Sequence, residues 1–252
     1  MSSAPLTVAI LGVCGTLGPF LLKALSEHPK AADVHIRILT RPLSTEKALM
    51  FAAPYPNLDL TVHPIDYGAR DADSGLDAAL CGVDVVLSAV GDDSGMRRKN
   101  VKHTGFLPGF IAQDRVARAA KAAGVKLFVP SEYGSPTHLI GLDSSVYVVG
   151  KRHHQELLRR LKLPSLLVYS GMFPQFEPAA TSLPRIIAEA PIPLGVPPFG
   201  TTRFHLATYI IQLLLDRGVD TVSGGIYELR GTRRERGSVS AETGRTDWVM
   251  DV

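Results

Sequence analysis

Cysteine is scarce in this chain. Cys14 and Cys81 are the two among 252 residues, too few for a disulfide framework. Both lie in or beside apolar segments and read as buried thiols. A strong charge of one sign is also lacking. The formal net charge is +3, too small to argue for nucleic acid as a partner. Two local basic clusters exist: Arg97, Arg98, Lys99, Lys102 and His103, and Arg230, Arg233, Arg234 and Arg236. Each reads first as a solvated loop; the first also follows a strand and is placed to gather an anionic ligand. No apolar run reaches the ~18 residues a spanning helix needs, so no membrane partner is expected. The apolar stretch Leu6 to Leu11 has no Lys or Arg before it and is broken off by glycine. That argues against a secretory signal and for a cytoplasmic location. Neither a Gly-x-Ser-x-Gly elbow nor a P-loop lysine is found, and no internal repeat. His153 and His154 are adjacent, so they point to different helix faces and cannot share a metal ion; no metal site is expected.

What is present suits one sizeable α/β domain: 45% of residues are hydrophobic and 20% charged. The chain is organised around residues 8–18, V-A-I-L-G-V-C-G-T-L-G. An apolar strand ends at Gly12, glycines recur at Gly15 and Gly18, and Phe20 to Leu25 reads as a helix. Strand, glycine turn and helix form the setting of a dinucleotide fingerprint. Gly12 allows a tight turn, Gly15 lets backbone N–H groups approach a pyrophosphate, and Gly18 lets the helix pack on the strand. The spacing is G-x-x-G-x-x-G, a partial match to G-x-G-x-x-G.

Further strands are expected at 34–40, 58–62, 84–90, 126–129 and 166–169. Helices are expected from a Ser44 cap to about Phe51, over 76–80, over 110–123 with Ile111, Val116, Ala119 and Ala120 buried, and over 146–161. This alternation argues a doubly wound parallel sheet of the NAD(P)-binding Rossmann kind. Between 92 and 105 lies a long polar loop of the length that carries function. After Ser170 prolines cluster, and residues 171–252 read as a small substrate lobe and tail integrated with a Rossmann domain of residues 1–170. A helix at 206–215 and a strand at 226–229 are expected within it.

The end of the second strand reads the adenosine ribose in such folds, and here it carries Thr40, Arg41, Pro42 and then Lys47 with no acid. Arg41 and Lys47 suit a 2′-phosphate, which favours NADPH over NADH. Tyr147 and Lys151 stand four apart on one helix face. A phenol titrates near ~10, and a neighbouring ammonium lowers that, so Tyr147 is a candidate general acid. Lys151 also suits the nicotinamide ribose hydroxyls. Ser131 follows the fifth strand at the same sheet edge, where its hydroxyl would orient a substrate oxygen.

Several segments together resemble the NmrA-like, isoflavone-reductase-like branch of the atypical short-chain dehydrogenases/reductases. They are G-V-C-G-T-L-G at 12–18, Thr40-Arg41-Pro42 with Lys47, S-A-V-G at 88–91, Gln113, F-V-P-S-E-Y-G at 128–134, the stretch opening at Lys151, and Y-S-G-M-F at 169–173. The resemblance covers about Leu6 to Phe176. It implies an NADP(H)-binding Rossmann fold and reduction of phenolic or other aromatic secondary metabolites, with Lys151 as the central catalytic residue. Tyr147 is a departure toward the ordinary Tyr/Lys arrangement and leaves open which of the two delivers the proton. On the matched segments, the implied cofactor-binding positions are Gly12, Gly15, Thr16, Leu17 and Gly18, then Arg41 and Lys47, then Ala89, Val90, Gly91 and Gln113. Pro130, Ser131, Glu132, Lys151, Met172 and Phe173 complete them. Met172, Phe173 and Phe176 are also candidates for an apolar substrate wall. The expected ligand is a small aromatic molecule, and the chain is a monomer or homodimer. A non-catalytic NAD(P)-sensing regulator, or an isomerase or dehydratase on the same scaffold, are the competing readings. The Tyr147/Lys151 pair favours an enzyme, since a sensor needs neither.

Overall fold

The computed structural model describes residues 5–67, 75–91, 108–141, 146–171, 173 and 201–229. Five strands form one parallel sheet: β1 (Leu6–Leu11), β2 (Val34–Thr40), β3 (Asp59–Pro64), β4 (Val85–Ser88) and β5 (Leu127–Val129), in the order β3-β2-β1-β4-β5. The order follows burial. Val8 to Leu11 and all of β4 are buried, as central strands packed on both faces must be. No residue of β3 is fully buried, and its final Pro64 is tolerated because the strand lies at the edge. The strand order reverses between β1 and β4, which run parallel, so the crevice beyond their C-terminal ends is the topological switch point where ligands bind in open α/β sheets.

Helices cover both faces. On one, α1 (Gly18–Glu27) and α2 (Thr45–Ala52) pack over Val8, Ile10, Ile36, Ile38, Val85 and Leu87. On the other, α3 (Leu76–Leu80), α4 (Pro108–Ala122) and α5 (Val146–Leu161) pack over Ala9, Leu11, Leu39, Val86 and Phe128. Each fully buried Leu or Ile contributes about 1.5–3 kcal/mol. The sixth expected strand, β6 (Leu167–Tyr169), does not extend the main ladder. It pairs in parallel with β7 (Ile226–Glu228) and meets β5 through a single bridge, Phe128 with Ser165. Pro130 closes β5 after three residues and has no N–H to continue the pairing. The helix expected at 206–215 is α6 (Arg203–Gln212), capped by the Thr202 hydroxyl accepting the His205 N–H at 3.2 Å. It packs on α1 and runs on into a π-helical turn at Leu213–Arg217, then a short α7 (Val219–Val222).

Four expectations need correction. Ile111 is 41% exposed; α4 begins at Pro108 and buries Ala112, Gln113, Val116, Ala117 and Ala120. Ser44 stands at the N-cap of α2 without a side-chain capping bond, because a 3-10 turn at Pro42–Ser44 leads into the helix. Cys81 is exposed, since it ends the five-residue α3 at the rim, and Cys14 is half-buried in the glycine turn. The loop at 92–105, both basic clusters, the proline-rich stretch from 174, Met172 and Phe176 lie outside the described residues.

Candidate functional site

The glycine turn is shaped by what a side chain would strike. Gly12 ends β1 at φ +82°, and a Cβ there would lie 2.5 Å from the Ala89 carbonyl oxygen. At Gly18 a Cβ would lie 2.3 Å from Val13 Cα. The Gly15 N–H donates to the Gly12 carbonyl at 2.9 Å, which folds the turn back on itself. Gly15 and Thr16 are exposed, whereas Leu17 is buried and belongs to the core under α1. The first turn of α1 has no acidic residue, so its partial positive end faces the turn uncompensated.

Arg41 follows β2 with an extended backbone and an exposed side chain. Lys47 is exposed one turn into α2, its ammonium 5.6 Å from the centre of the Phe51 ring. Tyr67, which sequence reading missed, lies between these features. Burial pushes its phenol upward; Arg41 opposes this, and Cys14 and Asp66 reinforce it. Asp66 therefore shares the neighbourhood of Arg41 although it comes from the end of a different strand.

At the end of β4, Ala89 donates its N–H to Leu11 at 2.8 Å and closes the gap beside Gly12. Val90 is half-buried and Gly91 exposed. The Ser88 carbonyl accepts the Tyr133 hydroxyl at 2.9 Å, which ties the end of β4 to the loop after β5. Burial, then the Glu132 charge, pushes the Tyr133 phenol well above its ordinary range, so it stays a neutral donor. From α4, the buried Gln113 Oε1 accepts the Ser131 N–H at 3.0 Å. Pro130 is buried, and its carbonyl accepts the Glu132 N–H at 2.8 Å.

Lys151 is half-buried on α5, and its Nζ donates to the Glu132 carbonyl. The same Nζ is 3.7 Å from where a Gly134 Cβ would stand, so Gly134 leaves the ammonium room. Tyr147 is half-buried one turn earlier on the same face. Just before Lys151, Gly150 admits the Phe110 ring, which would come within 2.4 Å of a Cβ. Glu132 turns its carboxylate inward: it is 1% exposed and accepts the Thr137 hydroxyl at 3.1 Å. The part of Glu132 that faces Lys151 is its main chain. Phe173 is half-buried with the Arg203 guanidinium 5.9 Å from its ring centre. His153 and His154 do not diverge fully. The two oxygens of Asp114 reach His153 Nε2 at 3.5 Å and buried His154 Nδ1 at 2.6 Å, and so pin α5 to α4. Sequence-distant pairing of this kind has no local signal.

A glycine turn at the C-terminal end of β1 and a lysine held to the loop that follows β5, both on the C-terminal side of the parallel sheet, narrow the relatives to consider. The profile of the NmrA-like family matches residues 5–189. The chain belongs to the NmrA-like family. A search of curated proteins finds no match. Among solved structures, AtPrR2 with NADP+ and (+)pinoresinol aligns with TM-score 0.66 at 19% identity, over 92% of this chain and 72% of that one. An isoflavone reductase aligns with TM-score 0.63 at 18% identity, over 90% and 70%. The NADPH-dependent quinone oxidoreductase QOR2 of Escherichia coli, solved with NADPH, aligns with TM-score 0.59 at 22% identity, over 89% and 69%. These likenesses are of fold.

The NmrA-like fold implies a dinucleotide, and the residues present fit one. The turn at 12–18 is a cradle in which a Cβ at Gly12 or Gly18 would collide with backbone, and it opens onto the N-terminus of a ten-residue helix. Its exposed part, Gly15 and Thr16, offers main chain to an anion. Among the described residues, no His, Cys, Asp or Glu cluster has the makings of a metal site, and no helix is long and apolar enough to cross a membrane.

Proposed function

We propose that this NmrA-like chain is an NADPH-dependent reductase of the isoflavone-reductase type. Its substrate is an aromatic small molecule bearing a carbonyl or a conjugated double bond. The observation that carries the reading is the placement of Lys151. The residue is half-buried, its ammonium is held by the Glu132 carbonyl, and it stands at the sheet edge that the glycine turn also occupies. A nucleotide sensor has no need of an amine held there.

Gly12, Gly15, Thr16 and Gly18 hold the pyrophosphate by main chain, with Leu17 anchoring the turn from below. Arg41 and Lys47 pair with the 2′-phosphate, with Ala89, Val90 and Gly91 forming the floor. When bound, NADPH supplies a hydride. The chain's own residues then orient the acceptor and manage one proton. Lys151 keeps a proton beside the oxygen or carbon that becomes basic and steadies the ribose hydroxyls. Tyr147, on the same helix face, is the second proton donor within reach of such a substrate. Gln113 fixes the Ser131 backbone and so the height of the Ser131 hydroxyl. Phe173 belongs to the apolar wall against an aromatic ring.

The test follows NADPH absorbance with a panel of aromatic ketones, enones and quinones. Substrate-dependent oxidation of NADPH supports the reading. Saturable NADPH binding with no turnover on any member would favour a sensing role, and absence of binding at millimolar NADPH would remove the coenzyme altogether.

A further inference from the structure

Four buried or half-buried polar side chains behind Lys151 form a chain of hydrogen bonds whose direction is fixed. Gln155 Nε2 lies 2.9 Å from Thr137 Oγ1 and 3.3 Å from the Tyr169 hydroxyl. Thr137 Oγ1 lies 3.2 Å from the Tyr169 hydroxyl and 3.1 Å from Glu132 Oε2. A threonine hydroxyl has one proton. The Thr137 proton goes to Glu132 Oε2. Tyr169 must then donate to Thr137, and the Gln155 amide supplies its two N–H groups to Thr137 and Tyr169. Every donor is used and every bond runs toward Glu132. In the interior, where Glu132 and Thr137 are 1% and 3% exposed, losing one member leaves the others unsatisfied.

We propose that Thr137 and Gln155 are positioning residues for Lys151. Lys151 bonds to the carbonyl of the residue whose side chain ends this hydrogen-bond chain. Gln155 stands one helical turn after Lys151 on the same face, so α5 grips the loop from Pro130 to Thr137 at two points. Four further bonds hold the same loop, one of them from the Tyr133 hydroxyl to the Ser88 carbonyl. Gln113 takes the Ser131 N–H, and the Gly134 carbonyl accepts the Ser170 and Gly171 N–H groups at 3.2 and 3.1 Å. With Thr137 and Gln155 intact, the Glu132 carbonyl has one place to stand, and the ammonium is fixed with it. The consequence for catalysis rests on the role proposed for Lys151 above; the positioning itself does not.

The test is competitive labelling of amines with limiting acetic anhydride, read by peptide mass spectrometry on the full chain without coenzyme. Exposed Lys126 serves as the internal reference. Wild type is compared with Thr137→Val, which keeps the shape and removes the hydroxyl, and with Thr137→Ser, which restores it. Lys151 in the Val variant is expected to label about fivefold faster relative to Lys126, and the Ser variant to match wild type. Equal labelling in all three overturns the proposal. Should Thr137→Val fail to fold, Gln155→Leu carries the same expectation and the same overturning result. Turnover is read in parallel: kcat in the Val variant should fall about tenfold with the KM for NADPH unchanged. Faster labelling with unaltered kcat would leave the positioning standing and count against the role of Lys151 in the reaction.

Discussion

The two walls of the candidate site are built from different materials. At the end of β1 the surface is main chain: glycines, the exposed Gly15 and Thr16 and the start of α1, with Arg41 and Lys47 out in solvent. At the end of β5 it is side chain: Lys151 is tied to Glu132, and behind them Thr137, Tyr169 and Gln155 are bonded to one another in the interior. The first wall is specified by the absence of Cβ atoms and fails by obstruction. The second is specified by complementary donors and acceptors and fails when one is removed. The first kind of wall suits a part of a ligand that is always the same, such as a pyrophosphate. The second kind suits a proton, which must be held at one place.

The largest expected effect is on the glycine wall. Gly12→Val forces a branched side chain into a positive-φ position and onto the Ala89 carbonyl. We expect a loss of about 3 kcal/mol or more in urea unfolding, and loss of saturable NADPH binding. Binding like that of wild type would show that this turn is no cradle. Arg41→Ala is expected to weaken NADPH by about tenfold and leave NADH unchanged in fluorescence titrations. Equal weakening of both would move the 2′-phosphate elsewhere.

On the side-chain wall the expected effect is one of pH. Burial, with the Glu132 charge next, pushes the Tyr169 phenol from its ordinary 10.0 up to about 12, against the opposing bond from Gln155. The folded chain thus keeps this proton where the unfolded chain releases it. The stabilisation is complete below about pH 10 and is lost as pH rises toward about 12. Thermal melts from pH 9 upward should therefore fall less steeply in Tyr169→Phe than in wild type. Parallel curves would mean that Tyr169 is not held neutral by the fold. The smallest effect is a control on neither wall. Glu156 is held down to about 2 by hydrogen bonds from Arg159 and Arg160, but all three are surface groups. Glu156→Gln should move Tm by less than about 2 °C.

The same contrast explains what could be read from the residues alone. β1, the glycine turn and α1 are contiguous, so their spacing carries the geometry; the bounds of α5 are legible as well. The position of Lys151 on that helix is legible for the same reason. The partners of the second wall were not found. Thr137 meets Gln155 across 18 residues and Tyr169 across 32, and Tyr133 meets Ser88 across 45. None of these distances leaves a periodic trace. Glu132 was expected to face the coenzyme because it lies in a matched segment; its carboxylate points into the interior instead. Ile111 is apolar but lies on the outward side of α4, where apolarity misleads, and Cys81 follows an apolar run but ends the short α3 in solvent.

The central claim is that one wall binds and the other transfers a proton. Lys151→Met tests it most directly, through NADPH titration and turnover measured on the same preparation. The account predicts that NADPH still saturates, with Kd raised no more than about fivefold, while kcat with the best aromatic acceptor falls by about a hundredfold or more. Turnover within a factor of about two of wild type would contradict it.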